Sequence, residues 1–126
     1  MELLYMAKYK NKSRARLGII NRDQAPTLTP GVFDIVWAAG IYEGEGSCDG
    51  GGTYKDSAVV TIGQKDPWLI YKLNRLFGGK VSKRKTNIYI WRLCGSRARG
   101  FLMTIYKFLS PIRQNKIIPL LKIKYG

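Results

Sequence analysis

Apolar residues recur at helical spacing in four stretches of this chain and alternate with polar ones between them, and those rhythms set the expected elements. Thr29 is a good N-cap and Pro30 suits a first helical position, ahead of the apolar run VFDIVWAAGIY. Gly44 or Gly46 should end that helix. The polar stretch SCDGGGTYKDS follows as a weak strand with a loose turn, and SAVVTIGQ reads as a clear strand. Asp66-Pro67 restarts a helix, with Leu69, Leu73 and Leu76 on one face and Gly78-Gly79 as its stop. Residues 80–84 and 87–93 predict a hairpin about Lys85-Thr86. Ser96 should cap a third helix, since Ala98, Phe101, Leu102, Ile105, Phe108 and Leu109 keep the helical period. Ser110-Pro111 starts a fourth, interrupted or ended at Pro119. The order αββαββαα describes an α+β domain with an antiparallel sheet.

Residues 1–28 precede this pattern as a leader, in which AKYKNKSRARLG carries five basic residues and NRDQAPTL is rich in turn formers. It reads either as an arm on DNA or as a loose terminus. The domain proper is expected over residues 29–126, and a chain of 126 residues has little room for a second core. No apolar run approaches a membrane span, and MELLYMA lacks the basic start and length of a signal peptide. The expectation is an intracellular protein, not secreted and with no membrane partner.

Charge changes the picture. The chain holds 22 Lys+Arg against 8 Asp+Glu, a formal charge of +14. All eight acids lie in the first 66 residues, where eight basic residues balance them; the last 60 residues carry 14 basic residues and no acid. Ordinary surfaces intersperse both signs, so this asymmetry points to a polyanion, and nucleic acid fits better than a membrane surface. The absence of histidine excludes Ser-His-Asp and Cys-His centres, His-containing zinc fingers and HNH nucleases. Cys48 and Cys94 are isolated and read as structural thiols.

The segment from Trp37 to Ser47, WAAGIYEGEGS, breaks several local rules together. Glu43 and Glu45 lie at a helix C-terminus, where the macrodipole disfavours negative charge. Gly44 and Gly46 alternate with them, and Gly40 and Gly44 form a smooth strip with Ala39 beside it. Such a strip lets a second helix approach almost backbone to backbone. A glycine-rich cap with no further role is the bland alternative.

This segment resembles the LAGLIDADG motif of homing endonucleases, in the variant written W-L-A-G-x-x-D-G-E-G-S. Ala38 stands in place of Leu and Glu43 in place of the first Asp, whereas the glycines, the second acid and the trailing serine match. A strand ending Gln64-Lys65-Asp66, a helix ending Phe77-Gly78-Gly79, then Tyr89-Ile-Trp-Arg92 and Leu109-Ser-Pro-Ile-Arg113 fall in the family's order. The resemblance covers residues 30–118 and omits the leader.

That resemblance implies an αββαββα-type domain whose antiparallel four-stranded sheet lays one face in the DNA major groove while helices cover the other. A single motif implies a homodimer joined through Ala39, Gly40, Glu43 and Gly44, acting on a roughly palindromic double-stranded target. It also implies an intron-encoded or similar setting, in a bacterial or phage-infected cell or an organelle. Glu45 becomes the metal ligand, with the Gly44 carbonyl as neighbour; Glu43 shapes the helix end. Mg²⁺, or another divalent cation such as Mn²⁺, suits oxygen ligands and phosphate, and such metals activate water without histidine. Gln64 matches a residue that orders water near the metal, or is simply a polar strand end. Arg113 matches a basic residue near the phosphate, or is a helix-surface arginine. Trp68 falls where some members carry a further basic group. Alternation along the hairpin puts Lys80, Ser82 and Arg84 on one face, and sets Arg92 apart from Tyr89 and Trp91, which are expected in the core. Thr61 and Lys65 complete the candidate DNA contacts.

Gly40-Ile41-Tyr42 spells the start of a GIY-YIG nuclease, but that family needs a later glutamate and none follows Glu45. A non-cleaving maturase or regulator binding RNA or DNA would share the basic second half. A ribosomal-type protein would leave the two glutamates unexplained.

Overall fold

Residues 19–50 and 58–121 are described by a computed structural model of the chain. Strand β1 (Ile19–Gln24) is followed by helix α1 (Val32–Glu45), β2 (Gly46–Asp49), β3 (Val59–Gln64), α2 (Pro67–Phe77), the hairpin β4 (Gly79–Lys83) and β5 (Tyr89–Cys94), α3 (Ser96–Ile105) and α4 (Pro111–Leu121). The five strands form one sheet in the order β1-β4-β5-β3-β2, every neighbouring pair antiparallel.

Pleating divides the sheet into two faces. Val60, Ile62, Val81, Trp91 and Leu93 are fully buried on one, against Ala38, Ala39 and Tyr42 of α1, Ile70, Tyr71 and Leu73 of α2, and Phe101, Leu102 and Ile105 of α3. Each large aliphatic side chain buried there stabilises the fold by about 1.5–3 kcal/mol. Phe101 is the hinge of an aromatic cluster, with ring centroids 4.9 Å from Phe77 and 5.1 Å from Trp91. Trp91 is placed further by its indole N–H, which donates to the Gly78 carbonyl at 2.7 Å. The opposite face carries Lys80, Arg92 and Thr61, and none of the described helices packs over it.

The helix boundaries follow local chemistry. The α1 cap is Gly31, two residues beyond Thr29, and its N–H donates to Asp34 Oδ2 at 3.0 Å. In α2, Asp66 caps through Trp68 N–H at 2.9 Å with Pro67 at the first position. Gly78 and Gly79 hold φ of 78° and 100°, so the turn into β4 requires residues without a Cβ. Leu69 is only half-buried, because the core face of α2 is Ile70, Leu73, Asn74 and Leu76. Phe108 is exposed instead of continuing the α3 stripe, since residues 106–108 tighten into a 3-10 turn that rotates it outward. α4 continues through Pro119 to Leu121.

The sheet has one strand more than the four expected. β1 lies within the span read as a leader and pairs with β4, an edge pairing interrupted by register shifts. Two further ties hold this segment: Thr27 and Leu28 N–H donate to the Arg75 carbonyl at 2.9 and 3.0 Å. The basic stretch within residues 1–18 lies outside the described residues, as do residues 51–57.

Asn74 is the buried polar residue that joins β1 to the domain. Its Oδ1 accepts from Gln24 Nε2 at 2.9 Å, and its Nδ2 donates to the Gly79 carbonyl at 3.0 Å. Asn74→Leu leaves both partners unsatisfied and should lower unfolding free energy by about 1–3 kcal/mol in urea denaturation. Loss of amide protection in residues 19–24 should accompany it, and an unchanged midpoint would show the bonds to be dispensable.

Candidate functional site at the α1–β2 junction

The last four carbonyls of any helix lack partners within it, and α1 meets this need unusually. Gly46 N–H donates to the Tyr42 carbonyl. Arg113, in the first turn of α4, donates through Nη2 to the Glu43 carbonyl at 3.0 Å and through Nη1 to the Gly46 carbonyl at 2.7 Å. Its guanidinium also lies 5.3 Å from the Tyr42 ring centroid. The Glu43 carboxylate reciprocates, accepting from Ser110 N–H at 2.7 Å and from the Ser110 hydroxyl at 2.9 Å. The two helix ends therefore cap one another, each with the charge its dipole favours.

Electrostatics agree with this. The Ser110 backbone N–H, more than anything else, holds the Glu43 carboxyl below the usual carboxylate value; burial opposes it, and the Ser110 hydroxyl and then the Arg113 charge add to the lowering. Burial pushes the Tyr42 phenol far up, so it stays neutral.

The glycines separate into two kinds. A Cβ at Gly46 would collide with the Tyr42 ring, so the turn from α1 into β2 needs glycine for close approach. At Gly40 and Gly44 an added Cβ would meet nothing within 4 Å. Nothing among the described residues explains them, although each glycine within a helix costs about 0.8–1.0 kcal/mol relative to alanine. They continue an exposed stripe with Phe33, 90% exposed, and Val36, 44% exposed.

Glu45 ends α1 with its side chain exposed, and no hydrogen bond or ion pair joins it to another described residue. Two residues later Ser47 opens a row across the sheet. Ser47 pairs with Thr61, Thr61 with Arg92, and Arg92 with Lys80, all on the face that the helices leave open. Ser82 and the exposed Arg84 belong to this face by alternation, and Lys65 is exposed just beyond β3. The row runs from a carboxylate at one edge to two cations further out.

The expected site residues are thus placed as follows. Gly44, Glu45 and Arg113 meet at the junction, and Gln64 lies two steps past the Gly46–Ile62 pair, level with the end of α1. Gln64 keeps the parity of Val60 and Ile62, so it belongs to the helix-covered side of β3. Arg113 is not a free surface arginine, since its guanidinium is bonded to the end of α1. Of the expected interface residues, Ala39 is 1% exposed and packs in the chain's own core, and the Glu43 carboxylate is bonded to Ser110. Tyr89, expected in the core, is half-buried with Lys83 Nζ 5.5 Å from its ring centroid. Sequence reasoning misses Ser47 and Ser110. Ser47 lies in a stretch too polar to read as a firm strand, though the motif's trailing serine marks it; Ser110 is 67 residues from its partner.

The donor set is compatible with a hard cation, being the Glu45 carboxylate and the neighbouring Gly44 carbonyl oxygen. No group of three acidic, cysteine or histidine side chains that could hold a metal exists among the described residues. Among the described residues, no helix is long and apolar enough to cross a membrane.

No family model matches the sequence, and no curated protein does. Solved structures do match. The chain superposes on the homing endonuclease I-CvuI in complex with its target in the presence of 2 mM Ca, with a TM-score of 0.59 at 13% identity, covering 71% of this chain and 64% of that one. A second complex of I-CvuI, with the I-CreI target in 2 mM Mg and the DNA not cleaved, gives 0.57 at 15% identity over the same shares. The chain thus spans just under two thirds of the length of these neighbours. It has the LAGLIDADG homing endonuclease fold.

The mutual cap is testable by pH. A carboxyl whose pKa is lowered on folding stabilises fully above its unfolded value and loses that contribution as pH falls through the folded value. Wild type should therefore melt higher than Glu43→Gln at neutral pH. The gap should close as pH drops below the ordinary carboxylate range, and a gap independent of pH would remove the charge from the account.

Proposed function

We propose that the chain is a site-specific endonuclease that hydrolyses phosphodiester bonds of double-stranded DNA as a homodimer, using a divalent cation such as Mg²⁺ held by Glu45. The observation that carries this reading is Glu45 itself, an exposed carboxylate without a partner among the described residues, at the root of an otherwise cationic sheet face. Binding DNA gives no reason to aim a carboxylate at phosphate; holding a cation there does. The fold, shared with homing endonucleases crystallised on target DNA, supports the reading.

When bound, such a cation supplies an activated water and charge neutralisation at the leaving oxygen. The chain's own residues have separate tasks. Glu45 and the Gly44 carbonyl offer oxygen ligands, and Arg113 fixes the backbone that carries them. Thr61, Lys80 and Arg92 lie along the groove, the cations engaging phosphates and Arg92 able to read guanine with two hydrogen bonds. Gly40 and Gly44, with Phe33 and Val36, offer the smooth stripe for a second copy, which would bring two Glu45 carboxylates together and imply a near-palindromic target.

Selection of cleaved sites from a randomised duplex library in Mg²⁺, with Ca²⁺ in parallel, tests the reading. Discrete double-strand cuts are expected in Mg²⁺. Enriched but uncut sites in both would favour a DNA-binding regulator, and preference for structured RNA a maturase. The interface has its own test. Gly44→Leu points a side chain into open space in the single chain, so the fold should survive with equal or higher thermal stability while sedimentation shows the dimer lost. A Gly44→Leu protein that still dimerises would remove α1 from the interface.

A further inference from the structure

β1 lies outside the family's frame, and its position in the sheet gives it a task. In the order β1-β4-β5-β3-β2, β2 continues directly from Glu45 and is one edge; β1 is the other. Four strand spacings separate them, about 19 Å at 4.8 Å each. On the reading proposed above, on which this inference rests, β2 lies near the cut and β1 lies farthest from it along the duplex. Without β1 the open face would stop at Lys80 and Arg84. With it, the sheet reaches one spacing further, which is more than one base step at about 3.4 Å per step.

The chemistry of the added strand suits phosphate. Its pairing runs Asn21 to Val81 and Gln24 to Gly79, so Arg22 and Asp23 together face Lys80, and the extra residue bulges the edge there. Arg22 is exposed and has no ion-pair partner among the described residues. Asp23, the acid next to it, is neutralised: its Oδ2 lies 3.2 Å from Arg97 Nη1, which also donates to the Gln24 carbonyl at 2.8 Å. Arg22 therefore stands beside Lys80 with no described acid to cancel either charge. At its start β1 pairs Ile19 with Ser82, next to the hairpin tip with Lys83, Arg84 and Lys85.

We propose that β1, through Arg22 beside Lys80, is an additional DNA contact that grips the phosphate backbone outward of the bases read by β3, β4 and β5, lengthening the footprint of each subunit. Backbone contact adds affinity and fixes register without adding base preference. A bulged edge strand also discourages the unpaired edge from recruiting another chain, leaving its charge for nucleic acid.

The test uses the full chain and a duplex recovered from the library selection, with flanks trimmed one base pair at a time. Arg22→Gln should bind the long duplex several-fold more weakly and lower the slope of log K against log salt by about 1.8, the share of two neutralised phosphates, one for each subunit of the dimer. Its base preferences at the selected positions should be unchanged. On a duplex trimmed inside the reach of β1, wild type and Arg22→Gln should bind alike. Equal affinity and slope for wild type and Arg22→Gln on long flanks would overturn this inference while leaving the endonuclease reading intact. Failure of wild type to bind any duplex would instead bring down that reading, and this one with it.

Discussion

Everything at the candidate site depends on two helix ends that satisfy each other. A helix that stops against its own sheet leaves carbonyls facing inward, and burying them without donors would cost about 1–3 kcal/mol apiece. Arg113 supplies donors to the carbonyls of Glu43 and Gly46, and Glu43 supplies acceptors to the start of α4. The exchange spans nearly 70 residues of sequence and locks the α1–β2 junction from both sides. Of the two glutamates there, one is consumed by the fold. The other, Glu45, is released by the same geometry to face outward.

The rest of the surface is organised around that release. Because α1 flows into β2 at a position where the Tyr42 ring admits only glycine, the carboxylate sits at the edge where the open sheet face begins. Side chains then alternate outward across β3, β5 and β4 to Thr61, Arg92 and Lys80, on the side away from the described helices. Lopsided charge in the sequence becomes a spatial gradient, acid at one edge and cation beyond. Long-range attraction of this kind steers a polyanion toward a surface before any specific contact forms.

Much of this is legible in the sequence, for identifiable reasons. The helix period of α3 and the alternation of β5 follow from burial of one face, so Phe101, Leu102 and Trp91 fall where expected. Glu45 stands out because it breaks local rules in company with glycines, and the motif's spacing gives it a role. What stays hidden is non-local. β1 is a polar edge strand whose partner lies about 60 residues on, and its register shifts erase alternation. The identity of the Arg113 partners cannot come from spacing either, since a capping arginine and a surface arginine look alike in one dimension. Ala39 is ambiguous in sequence because a small residue beside two glycines suits both a core and an interface; only packing against the sheet separates them.

The central claim, that Glu45 is a cation ligand for phosphodiester cleavage and not a by-product of the helix end, is tested most directly by one paired measurement. Glu45→Gln keeps the size of the side chain and removes its charge. The equilibrium affinity of this protein for a selected duplex is measured in Ca²⁺, and cleavage of the same duplex in Mg²⁺. Specific binding should persist, equal to wild type or tighter because a charge that repels phosphate is gone, and cleavage should be abolished. Full cleavage by Glu45→Gln would contradict the account.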